Sequence, residues 1–307
     1  MRIGLGHGDD GSQTLEQQIQ QIVDEEKDGF DVAWFSQIMG GDSLTIIALA
    51  GQRTSRIQFG TAVVPTYPRH PFTLAQQALT VQAATQGRLT LGIGPSHSLV
   101  IENMWGLSYD KPARHVREYL SVLVPLLNER KVAFKGETYR VNGAIGTKVD
   151  KAPSVIISAL APMMLKIAGT MTDGTVLWMT GVKTIETHVV PRITTAAKEA
   201  GRPAPRVVAS LPVCVTDDAA GAREVCAKLF TIYGQLPNYR RMLDREGAAG
   251  PADVAIVGTE AEVERQIRAV ASAGATDFLA SVFPSGADGK ASMARTYALL
   301  KSLVGKV

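Results

Sequence analysis

His97 and Gln37 are the two side chains whose type and placement give this 307-residue chain a claim to chemistry. His97 closes the run Gly92-Ile93-Gly94-Pro95-Ser96-His97, directly after a short apolar segment. An imidazole ordinarily titrates near neutrality, so His97 could donate a proton to a substrate or polarise a carbonyl. The alternative is a loop histidine bonded only to backbone. Gln37 follows a second apolar run at 32–36. Its amide does not titrate near neutral pH, but it can orient a ligand through hydrogen bonds.

These positions converge only if strands carry them to a common mouth. Short runs at 2–6, 32–36, 57–64 and 89–93 have strand character, and apolar residues at helical spacing separate them. Leu15, Ile19, Ile22 and Val23 share a helix face that Gly29 closes, Asp42 or Ser43 caps the next helix, and Pro71 opens a third. The segment 112–130 is a long amphipathic helix in which Pro125 should produce a kink. After it, 132–141 reads as a small hairpin. Strands are expected at 155–158, 174–178, 206–215 and 276–282, with helices at 161–170, 182–200, 259–273 and 290–303. More than one helix is expected within 217–254. Eight strand–helix units predict a single-domain (β/α)8 TIM barrel over 1–307, an α/β fold with insertion segments. In such a barrel ligands bind where strands end and helices begin.

A net charge of +3 without a basic run argues against nucleic acid as a partner. No apolar run approaches the length needed to span a membrane. The first residues enter a strand directly, so no signal peptide is expected and the cytoplasm is the expected location. Cys214 and Cys226 are too few and too isolated for a disulfide framework or a zinc site. No metal-ligand spacing, Walker loop or nucleophile elbow appears, and Gly92-Ile93-Gly94 lacks the third glycine of a dinucleotide fingerprint.

The stretch GTAVVPTYPRHP, followed by GRLTLGIG, resembles the core of the luciferase-like flavin and deazaflavin oxidoreductases. Within that superfamily it is similar to the branch that uses coenzyme F420. The resemblance implies an F420-dependent oxidoreductase that moves hydride between the deazaflavin and a small organic substrate. It implies a bulge at Thr61-Ala62-Val63, with a non-prolyl cis peptide at Ala62-Val63 behind the middle ring of the cofactor. Ser36 matches a position that contacts the deazaflavin. Gln37 stands where related sugar-phosphate dehydrogenases carry histidine, which speaks against that particular reaction. His97 falls where the branch often has Glu or His near the reactive ring carbon.

By the same resemblance, Ser158-Ala159-Leu160-Ala161 would hold the cofactor phosphate at a helix start, although Leu160-Ala161 replaces a glycine pair and Pro162 removes one donor. Thr180 and Gly181 would complete that wall. Arg69 could meet a ligand (an anionic cofactor tail or a substrate) or form a surface salt bridge, and His7 could line the pocket. Two alternatives stay open. One is an FMN-dependent monooxygenase using reduced flavin and O2, and the other is a non-catalytic flavin- or deazaflavin-binding barrel. A homodimer and a separate F420- or flavin-reducing enzyme are the implied protein partners.

Overall fold

The computed structural model describes residues 1–8 and 11–307. Its strands β1 (Arg2–His7), β2 (Val32–Phe35), β3 (Gln58–Thr61), β4 (Leu89–Gly94), β5 (Ser154–Ser158), β6 (Gly174–Trp178), β7 (Arg206–Val215) and β8 (Asp277–Val282) are parallel neighbours in chain order. β8 pairs back onto β1, so the sheet closes into the expected (β/α)8 barrel. Among the described residues no helix is long and apolar enough to cross a membrane.

The helices form where local chemistry allows a start and a stop. In α1 (Leu15–Asp28), Thr14 and Gln17 cap each other's free N–H groups, and Gly29 ends the helix in a left-handed conformation at φ 92°. Asp42 caps α2 (Ser43–Gly51), its carboxylate accepting the Thr45 N–H at 2.9 Å. Pro71 opens α3 (Pro71–Ala84), where its missing N–H costs nothing. A short α4 (Ser98–Asn103), not foreseen from the sequence, follows His97. The long helix α5 (Pro112–Glu129) continues through Pro125 and buries one apolar face that includes Val116, Tyr119, Leu120 and Leu123. α6 (Pro162–Met171) follows β5.

Alternate strand residues face the helices or the barrel axis. Ile3 and Leu5 pack outward into the main core, whereas Val32, Trp34, Ile156, Val176, Val208 and Leu279 form the inner cluster. Trp34 is fully buried there. Its indole fits because the neighbouring strands carry glycines: a Cβ on Gly60 would lie 2.2 Å from Trp34 Cε3, and one on Gly4 2.8 Å from Trp34 Cδ1. At the N-terminal end of the barrel, buried Asp277 binds Arg206 at 2.8 Å and Arg2 at 2.9 Å. This end is closed by structural ion pairs, which leaves the opposite end for a ligand.

Three elements depart from the sequence expectation. The run at 57–64 is not one strand. It breaks after Thr61 and resumes as Val64–Pro65, which pairs with β4. The helix expected at 182–200 contains a widened π segment, Ile185–Val189, directly before Pro191. Proline lacks the N–H that a regular turn would use, and the extra residue absorbs the mismatch. The region 217–254 holds more than one helix, as expected (Ala219–Leu229, Thr231–Gln235 and Pro237–Glu246), but a short strand that was not expected, Ile256–Gly258, then pairs with β7.

Candidate active site

The bulge after β3 and the glycine pair of β4 build one surface. The peptide between Ala62 and Val63 is cis, as the resemblance implied. Thr61, fully buried, turns its hydroxyl onto β4. Its Oγ1 donates to the Gly92 carbonyl at 2.7 Å and accepts the Gly92 N–H at 2.8 Å, replacing ladder bonds that the bulge removes. The side chain of Thr61 is therefore structural, and any ligand contact there belongs to the backbone and to Ala62 and Val63. A Cβ on Gly92 would lie 1.8 Å from the Thr61 carbonyl oxygen. A Cβ on Gly94 would lie 2.3 Å from Ser158 Oγ and 2.8 Å from Val63 Cγ2. The Gly-x-Gly signal thus reports close strand approach, and Val63, Gly94 and Ser158 converge into a cradle of small groups.

His97 stands at the edge of this cradle. It precedes α4, makes no capping bond with its side chain, and neither ring nitrogen has a hydrogen-bond partner among the described residues. Burial lowers its pKa, which favours the neutral ring at pH 7. The loop that carries it is fixed from behind. Ser96 sits at φ 59°, and the Tyr109 hydroxyl donates to its carbonyl at 2.9 Å. Tyr109 stacks on Tyr67, which stacks on His115 at 3.8 Å between centroids. The Tyr67 hydroxyl is buried without a partner among the described residues.

In front of His97, its ring meets Tyr239 at 5.5 Å. Tyr239 packs on Tyr233 at 5.3 Å, and Tyr233 on Trp178, at the end of β6, at 5.6 Å. The helical excursion after β7 therefore reaches across the barrel to β4. No local sequence signal announces that contact, because 142 residues separate its two rings.

β2 flanks this surface on the far side of β3. The Ser36 hydroxyl donates to the His7 carbonyl at 3.2 Å. The Gln37 side-chain oxygen accepts both the N–H and the O–H of Ser43, at 2.8 and 2.9 Å. Gln37 is thereby anchored to the start of α2, with its amide orientation fixed. His7 does not line the mouth. It shares the outward face of β1 with Ile3 and Leu5, and its Nε2 lies 2.9 Å from buried Glu25. Arg69 pairs with Asp42 at 2.6 Å, the salt bridge among its two expected roles.

The wall formed by β5 and β6 has one open and one filled helix start. Ala159 is buried, and its N–H donates to Thr175 Oγ1 at 3.2 Å. The Leu160 carbonyl lies 2.8 Å from Nε2 of the buried His188, which holds the loop. Ala161 precedes α6 without a side-chain cap, and Pro162 follows it. The second helix start is occupied by the chain itself: Glu246 accepts the N–H groups of Lys183 at 3.1 Å and Thr184 at 2.8 Å. Thr180 is buried and donates to the Trp178 carbonyl at 3.2 Å. Of these two helix starts, α6 is the one whose first N–H groups have no side-chain acceptor among the described residues, so it could receive an anionic group of a cofactor.

The C-terminal mouth of this closed parallel barrel thus holds a cradle of small residues, His97 at its edge and the uncapped start of α6. The chain belongs to the luciferase-like monooxygenase family, which it matches over residues 2–277. It is 31% identical over 175 residues, 55% of this chain and 50% of the other, to a putative coenzyme F420-dependent oxidoreductase of Mycobacterium tuberculosis. Its fold is similar to that of the coenzyme F420-dependent tetrahydromethanopterin reductase of Methanopyrus kandleri, with a TM-score of 0.82, 22% identity and coverage of 99% and 98% of the two chains. It is also similar to the FMN-bound oxygenating constituent of 3,6-diketocamphane monooxygenase from Pseudomonas putida, with a TM-score of 0.76, 19% identity and coverage of 100% and 97%.

Proposed function

We propose that this chain is an F420-dependent oxidoreductase that transfers hydride between the deazaflavin and a small organic substrate. The observation that carries the reading is the cradle of Val63, Gly94 and Ser158 with unpartnered His97 at its rim. These residues fit a flat tricyclic ring: no side chain on the cradle is larger than valine, and a Cβ on Gly94 would push into Ser158 and Val63, which line it.

Bound F420 would supply the hydride donor or acceptor. The residues of the chain do the rest. Val63 and Gly94 support one ring face, and the uncapped start of α6 receives the phosphate. Gln37 orients from the adjoining end of β2. Neutral His97 accepts the hydroxyl proton of an alcohol as hydride leaves the adjoining carbon, and in the reverse direction the imidazolium returns that proton to the carbonyl oxygen. The aromatic residues Tyr239, Tyr233 and Trp178 exclude water from this side. A separate enzyme would recycle the cofactor. The F420-dependent relatives support this choice of cofactor.

The second reading, an FMN-dependent monooxygenase, draws its support from the FMN-bound structure of similar fold. Fluorescence titration of the protein with F420 and with FMN separates the two. Saturable F420 binding supports the first, and exclusive FMN binding replaces it with the second.

A further inference from the structure

We propose that His188 is a positioning residue for the cofactor phosphate: by gripping the Leu160 carbonyl it turns the Ala161 N–H towards the anion. The proposal deepens the oxidoreductase reading and rests on it.

His188 is 2% exposed and lies in the π segment Ile185–Val189 of the helix that follows β6. Widened turns of this kind are frequent at functional sites. Its Nδ1 is buried without a partner among the described residues. Burial lowers its pKa, as do Arg245 and Arg192 nearby, so the neutral ring is favoured. A carbonyl oxygen only accepts, so the one ring proton is on Nε2. Burying a half-satisfied imidazole costs stability that a hydrocarbon side chain would not. The single side-chain bond the ring makes in return is to the loop between β5 and α6. It reaches that loop because the two helices pack closely: a Cβ on Gly169 of α6 would lie 2.6 Å from the Ile193 carbonyl oxygen.

A trans peptide points its C=O and its N–H in opposite directions. The Leu160–Ala161 peptide is trans, and His188 holds its carbonyl from the β6 side. The N–H of Ala161 is therefore turned away from β6. β4, with Gly94, pairs with β5 on its other side. This N–H has no acceptor among the described residues, and α6 starts without a side-chain cap. The preceding part of the loop is fixed as well, since the Ala159 N–H donates to Thr175 Oγ1 at 3.2 Å. Two elements thus hold the loop before a ligand arrives, and a donor fixed in advance loses little entropy on binding. A cation is also at hand. The Arg117 guanidinium of α5 lies 3.9 Å from Met163 Sδ in the first turn of α6, and no carboxylate pairs with it among the described residues.

The test is fluorescence titration of wild type, His188→Leu and His188→Gln with two pairs of compounds. One pair is F420 and the same deazaflavin bearing only a ribityl chain; the other is FMN and riboflavin. Within each pair only the phosphate and what it carries differ. Wild type should prefer the phosphate-bearing member by at least about tenfold. His188→Leu, which removes the donor, should cut that preference about tenfold and leave the phosphate-free affinity within about twofold. His188→Gln, whose amide supplies an N–H, should restore most of it. Equal weakening of both members in His188→Leu, or no weakening, overturns the proposal, as does a Gln variant no better than the Leu one. Should His188→Leu fail to fold, the Ala161 amide resonance of isotope-labelled wild type decides. It should move downfield with F420 and stay in place with the ribityl compound, and a resonance indifferent to the phosphate overturns the proposal. Should FMN bind and F420 not, while the preference for FMN over riboflavin still collapses in His188→Leu, the cofactor reading falls and the role of His188 stands.

Discussion

Gly94 and Ser158 end two neighbouring, paired strands and stand so close that a Cβ on Gly94 would lie 2.3 Å from Ser158 Oγ. Its neighbour Gly92 is tighter still, since the atom in the way is the backbone oxygen of Thr61 at 1.8 Å. Backbone cannot rotate aside as a serine can. Gly92→Ala should therefore destabilise the fold by about 2–3 kcal/mol, the scale of overpacking a filled core. Gly94→Ala should cost less stability and more cofactor affinity. Thermal melts and cofactor titrations of the two variants check this. Equal stability losses would contradict the assignment of Gly94 to the cradle.

His97→Ala should lower turnover by roughly 10²-fold, the scale of losing a positioned acid–base group, with a smaller change in cofactor affinity. Because burial lowers the His97 pKa, the neutral ring should persist to below pH 6.5, and alcohol oxidation should fall only on the acidic side of that value. Rates across pH for wild type and variant decide it. An unchanged rate and profile would remove His97 from the chemistry.

His115 gives a stability prediction with a definite sign. It is buried against Tyr67 and bonded to Thr66 Oγ1 at 2.9 Å, and burial brings its pKa from 6.5 down to about 4. The unfolded chain therefore binds the proton first. The stability that neutral His115 contributes is fully present above pH 6.5 and is lost as pH falls towards 4, at most about 3 kcal/mol. Denaturant unfolding should show a shallower loss over that range in His115→Phe. Parallel curves would show that other groups set the acid limb.

Glu246→Ala should free the excursion after β7, because two helix N–H groups lose their acceptor and the cap is worth about 1 kcal/mol. Hydrogen exchange should quicken over 219–246, and turnover should fall through the Tyr239–His97 contact. Unaltered exchange would mean that packing alone holds the segment.

Periodicity made the barrel legible, since each strand–helix unit carries its own apolar pattern and its own start and stop. Asp42, Pro71 and Gly29 marked their helices for local reasons that survive folding. The outward turn of His7 was also available, because Ile3, Leu5 and His7 share one face of a strand. The partners of His97 were not. Tyr239, Glu246 and His188 act over distances along the chain that no local pattern encodes, and the π segment before Pro191 is a compromise made inside a helix that otherwise reads as regular. The glycine pair was visible as a motif, but its cause, the closeness of Thr61 and Ser158, needed coordinates.

The central claim is that the cradle of Val63, Gly94 and Ser158 holds a deazaflavin. Its most direct test is titration of the purified protein with F420 and with FMN, monitored by cofactor fluorescence and repeated on Gly94→Ala. Saturable F420 binding at least about tenfold tighter than FMN binding, a difference of about 1.4 kcal/mol, is expected, with a marked loss in the variant. Tight FMN binding with no detectable F420 binding, or F420 affinity indifferent to Gly94→Ala, would contradict it.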